Sequence, residues 1–155
     1  SEFSFFSALC LFEFATRNLE TINILSYLKI IINEYDMAAF KRSIAIPKRG
    51  VGDKSIDAID EFARTFPGKE LSIREAIAHK DLKLRGKADK SIKEYAAYLD
   101  KIEAKYLELS PSELIKWLIT DLEYVDYLKA TYKDDAEKVS NALKNLIDKG
   151  LYDGI

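Results

Sequence analysis

Cysteine and histidine are nearly missing from this chain: Cys10 and His79 are the only examples. A single thiol excludes an internal disulfide and fits a reducing compartment. One thiol and one imidazole cannot build a Cys/His zinc site, and a Ser/His/Asp or Cys/His catalytic arrangement has only His79 to draw on. Excess charge is missing too. Lys and Arg number 24 against 26 Asp and Glu, a net charge of −2, so any nucleic-acid binding has to come from a local patch. The apolar stretch Phe3–Phe14 is too short to span a bilayer and lacks the basic flank of a signal peptide; no membrane partner is expected. Strands, repeats and low-complexity linkers are not evident either.

What is present is 48% apolar and 32% charged, the balance of a soluble globular domain, in a chain long enough for one real core. The periodicity predicts an all-α fold, a compact multi-helix domain of about six to eight helices over residues 18–150. Residues 1–17 form an apolar N-terminal segment and 151–155 a tail. Asn18 is placed to cap a helix running to about Ile32 with Leu19, Ile22, Leu25, Leu28 and Ile32 on one stripe. Asp36 caps the next, which buries Phe40 and Ile44 and stops at Pro47. A third starts at Gly50-Val51-Gly52 and buries Ile56, Ile59 and Phe62. Ser72-Ile73-Arg74-Glu75 and Ser110-Pro111-Ser112-Glu113 are capping boxes, the second with proline at the first helical position. Between them Gly86 precedes the longest helix, striped by Ala88, Ile92, Tyr95, Leu99, Ile102, Tyr106 and Leu109, a pattern for internal packing or a coiled coil. A turn is expected around Tyr124–Tyr132. Asp134 or Asp135 then starts a last helix with Val139, Leu143, Leu146 and Ile147, closed by Gly150.

The stretch Ile46-Pro47-Lys48-Arg49-Gly50-Val51-Gly52-Asp53-Lys54-Ser55 carries the chemistry. Glycines let a backbone pass close to an anion, and the first amides of a helix point outward without partners. Lys48, Arg49 and Lys54 add positive charge. A bare Gly-x-Gly is also what an ordinary helix-to-helix turn uses for positive φ. Basic residues and a helix on either side favour the phosphate seat, the layout of a helix-hairpin-helix-like Gly-Val-Gly turn in which Val51 plugs the core. Such binding ignores base identity. A Walker loop needs Gly-x-x-x-x-Gly-Lys-Ser/Thr after a strand, and neither the spacing nor the strand is here.

Charge is uneven along the chain. Lys41, Arg42, Lys48, Arg49 and Lys54 stand against Asp53; Lys83, Arg85, Lys87, Lys90 and Lys93 stand against Asp89. Two basic islands on an otherwise acidic chain suggest one binding face; the second could be a further phosphate contact but reads better as a solvated helix start. His79 reads as a surface or helix-end residue. Asp121, Glu123 and Asp126 lack the alternation of a calcium loop. Trp117 and the tyrosines fit core packing better than base stacking.

Leu25-Ser26-Tyr27-Leu28-Lys29-Ile30-Ile31, Asn33, Asp36, Ala39-Phe40-Lys41-Arg42, Ile44 and Pro47-Lys48-Arg49-Gly50-Val51-Gly52 resemble superfamily 1 DNA helicases of the UvrD/PcrA/Rep type, in the 2B subdomain. Leu84-Arg85-Gly86-Lys87-Ala88, Ser110–Leu128 and the Val139–Leu146 helix are similar to the same subdomain. The resemblance covers roughly Asn23–Leu146. It implies a helical accessory element, inserted into the second RecA-like motor domain, that swivels between orientations, contacts duplex DNA and takes part in autoinhibition and partner contacts. It implies that Lys48, Arg49, Gly50, Val51, Gly52, Lys54 and Ser55 touch duplex phosphates. ATP and Mg then belong to the parent enzyme's motor domains; this chain alone has no cofactor and neither hydrolyses ATP nor unwinds DNA. The implied partners are the duplex phosphate backbone and those motor domains, in an intracellular setting, nucleus or cytoplasm. Ser7–Asn18 depart from the family pattern. Their apolar residues suit packing on this domain, on a missing domain, or self-association with another copy. The opening Ser1-Glu2-Phe3 without Met, and an end short of the return to the motor, fit an excised piece. An interaction module without DNA contact is the alternative reading.

Overall fold

The computed structural model describes residues 19–133 and 135–150. The apolar segment with Phe3–Phe14 and Cys10, the expected cap Asn18, the alternative cap Asp134 and the tail 151–155 lie outside the described residues. Within them every regular element is a helix: α1 Leu19–Ile32, α2 Met37–Ile44, α3 Asp53–Arg64, α4 Ile73–Ala78, α5 Lys87–Tyr106, α6 Pro111–Asp121, α7 Tyr124–Thr131 and α8 Ala136–Asp148. They form two compact units. One is Ser26–Glu103; the other takes the described residues up to Leu25 and from Ala104 onward.

The predicted caps form. The Asp36 carboxylate accepts from the Ala39 amide at 3.0 Å, and Asp135 accepts from Lys138 at 3.0 Å. At Ser72 the box is reciprocal: its hydroxyl takes the Glu75 amide, and the Glu75 carboxylate takes the Ser72 amide, both at 3.0 Å. At Ser110 only half of the expected box forms: its hydroxyl accepts from the Glu113 amide at 3.4 Å, with Pro111 opening α6. Each cap satisfies a donor that the helix itself leaves free.

In the Ser26–Glu103 unit, α3 packs on α4, burying Ile56, Ile59, Ala63, Ile73, Ala76 and Ile77. Of the expected α5 stripe, Ala88, Ile92, Tyr95, Leu99 and Ile102 face inward, whereas Tyr106 is half-buried and Leu109 lies beyond the end of the helix. Arg74 on α4 pairs with Asp100 at 2.7 Å and Glu103 at 2.9 Å on α5. In the other unit α6 packs on α7 and α7 on α8. The Tyr124 hydroxyl donates to the Glu20 carbonyl at 2.7 Å.

Other expectations change. Tyr124–Thr131 is a helix and not a turn; Glu123 before it adopts a left-handed backbone, φ 53°, with no side-chain cap, so no start signal marks it. Helix α1 is buried beyond one stripe: Thr21, Ile24, Tyr27 and Ile30 are fully enclosed, while Leu19 is exposed. Helices covered all round carry no clear periodicity. His79 stands at the end of α4, one of its two expected places, and is half-buried there against the rings of Phe62 and Phe66, at centroid distances of 5.5 and 4.8 Å.

Candidate nucleic-acid interface

Helix α2, a turn and helix α3 follow in the helix-hairpin-helix order. Gly50 takes φ +72°, which an L side chain rarely adopts. Gly52 is the N-cap of α3 at φ −92°, ψ −174°. It has no side chain to fold back onto the helix, unlike Asp36, Ser72, Ser110 and Asp135 at other starts. The Ile56 amide bonds the Gly52 carbonyl at 3.0 Å. The amides of Asp53, Lys54 and Ser55 have no acceptor among the described residues. Gly50, Gly52, Asp53 and Lys54 are exposed, Ser55 half-buried. Lys48 and Lys54 are exposed and have no ion-pair partner among the described residues. Asp53 places one carboxylate in the first turn. Val51 is half-buried.

Arg49 sits differently from its neighbours. Its guanidinium turns inward, with Nη1 within hydrogen-bond distance of the carbonyls of Ser43 (2.9 Å), Ile44 (3.2 Å), Ile46 (3.2 Å) and Pro47 (3.4 Å). Nη2 donates to the Tyr27 hydroxyl at 2.7 Å, and that hydroxyl donates onward to the Ile46 carbonyl. The guanidinium carbon lies 5.2 Å from the Tyr95 ring centroid and 5.7 Å from that of Tyr27, within cation–π range. Carbonyls at a helix C-terminus carry the negative end of its dipole, so this cation gathers the end of α2 and the following turn around itself.

Beneath it Ser43 and Tyr95 meet hydroxyl to hydroxyl at 2.6 Å. The Ser43 hydroxyl also lies 2.8 Å from the Ala39 carbonyl. Burial pushes the Tyr95 phenol well above its ordinary value, with the Ser43 bond pulling the other way. Tyr27, Ser43 and Tyr95 are all fully enclosed. Sequence reasoning missed these three as supports of the turn. Their signal was available: a tyrosine inside an apolar stripe needs a partner for its hydroxyl.

A family model for the UvrD-like helicase C-terminal domain matches residues 12–152. The chain belongs to that family. It is 32% identical over 129 residues, 82% of its length, to the ATP-dependent DNA helicase Rep of Buchnera aphidicola subsp. Acyrthosiphon pisum. It is 29% identical over 119 residues, 76% of its length, to the ATP-dependent DNA helicase PcrA of Bacillus subtilis. The chain spans only 19% and 16% of these two relatives. In this UvrD-like domain the glycine turn does not suit a nucleotide triphosphate: it is preceded by α2, where a P-loop requires a strand. Among the described residues no three His, Cys, Asp or Glu side chains are grouped to hold a metal ion, and no helix is long and apolar enough to cross a membrane.

Proposed function

We propose that this chain is the 2B accessory subdomain of an ATP-dependent UvrD-like DNA helicase, where it holds the backbone of duplex DNA through residues 47–55 and orients the duplex relative to the motor, regulating unwinding. The parent's motor domains, with their ATP and Mg, supply the work. The observation that carries this reading is the open start of α3: free amides at Asp53, Lys54 and Ser55 beside exposed, unpaired Lys48 and Lys54. Amides and ammonium groups of this kind take phosphate oxygens without reading bases. The inward guanidinium refines the division of labour: Lys48, Lys54, Ser55 and the amides around Gly50, Val51 and Gly52 meet the phosphate, and Arg49 positions them.

The test is titration of a labelled DNA duplex at low salt. The chain binds weakly, with Kd of about 10⁻⁵ M near physiological salt, and indifferently to sequence. Lys48→Glu/Lys54→Glu abolishes binding and leaves the helical signal intact. Binding that survives this double reversal sinks the reading in favour of an interaction module.

A further inference from the structure

Between the start of α3 and the loop before α5 lies a hollow of about 370 Å³, lined by Lys54, Ser55, Ala58, Lys83, Leu84 and Arg85. The two basic islands of the sequence meet there. Three cations line the hollow and no carboxylate does. The nearby acid is already engaged: Asp89 accepts the Leu84 amide at 3.1 Å and the Lys93 ammonium at 2.7 Å. It therefore pins the loop and answers Lys93, leaving Arg85 without an ion-pair partner among the described residues. Lys90 lies 3.9 Å from Glu94, so the later part of the island is compensated along its own helix. Like charges gathered around an open hollow repel one another unless an anion enters. The hollow shares Lys54 and Ser55 with the first turn of α3, so it continues directly from the glycine turn.

We propose that Lys83 and Arg85, together with Lys54, form a second phosphate seat, so that this face holds two phosphates of one nucleic-acid backbone. The inference rests on the duplex reading above and extends its footprint to a loop that the family-type turn does not include. Arg85 supplies the planar fork suited to two phosphate oxygens, while Lys83 and Lys54 act as point charges. An adjoining pair of seats fixes the direction of a backbone across the surface, which a single seat leaves free to pivot.

The experiment is the salt dependence of duplex affinity for the whole chain. Each phosphate neutralised on B-DNA contributes about 0.9 to the slope of log Kd against log salt. Lys83→Gln/Arg85→Gln is expected to make that slope shallower by about 1 to 2, and Lys83→Arg/Arg85→Lys to restore most of it. Lys129→Gln/Lys133→Gln, which alters net charge equally outside the hollow, leaves the slope as it was. If Lys83→Gln/Arg85→Gln keeps the wild-type slope while Lys48→Gln flattens it, the second seat is wrong and the duplex reading stands. If the wild-type chain binds no duplex, both fall.

Discussion

Arg49 shows how one side chain can look like a ligand contact and act as a fastener. Its five hydrogen-bonding neighbours are four carbonyls and one phenol, all within this unit. Arg49→Ala strips that partner from a cluster of oxygens and should cost about 2–3 kcal/mol, since bonds to charged groups are the stronger class. Arg49→Lys recovers only part, because an ammonium cannot reproduce the fork. Lys48→Ala, one residue away and exposed, stays within about 0.5 kcal/mol of wild type. Urea-unfolding midpoints of the three variants check this; equal losses at 48 and 49 would contradict the fastener role. A count of cations along the sequence treats the two residues alike, because it carries no information on which way a side chain turns. Direction here is decided by Tyr27 and Tyr95, which lie 22 residues before and 46 residues after Arg49.

At the scale of elements, α3 is held open where its neighbours are closed. Gly52→Asp would close it. An added Cβ at Gly52 meets nothing within 4 Å, and φ there is ordinary. The new carboxylate can fold back onto the first-turn amides, stabilising α3 by roughly a few tenths of a kcal/mol. The same carboxylate occupies and repels what a phosphate needs, so duplex affinity should fall while thermal stability holds or rises. A variant that loses both has lost the fold, and one that keeps its affinity shows that the amides are not the seat. Helix starts were legible in the sequence wherever a short polar side chain marks them, as at Asp36, Ser72 and Ser110. Helix α7 was not, because Glu123 opens it from a left-handed conformation with no cap. Nor was the burial of α1 on several sides, where Ile24, Tyr27 and Ile30 are enclosed beyond the single stripe that the spacing suggests. The glycine turn itself was readable from composition and spacing; the loop at Lys83–Arg85 was readable only as charge, since its position beside Lys54 depends on how the chain between α3 and α5 folds back.

Across the molecule, each unit buries a phenol whose ionisation folding resists. Burial raises Tyr95 in one unit; burial and the Glu20 carboxylate raise Tyr124 in the other. A group raised in the folded state contributes fully below its unfolded value, near 10 for tyrosine, and loses that contribution as pH climbs toward the folded value. The acid limb runs the other way. Asp89 is lowered by Lys93 and the Leu84 amide, and Glu75 by the Ser72 amide and Lys69. Their contributions are complete above the ordinary carboxylate values and disappear as pH falls through the lowered ones. Unfolding midpoints followed from about pH 3 to 11 should therefore drop at both ends, and Tyr95→Phe should soften the alkaline decline. A decline unchanged by Tyr95→Phe would remove that tyrosine from the explanation. The separation of shape from charge at the turn has a longer reach. With the loop's geometry secured from below by a half-buried guanidinium, its surface lysines are free to be exchanged, acetylated or lost one at a time, and the charge that the turn presents can be dialled up or down in small steps without rebuilding the scaffold.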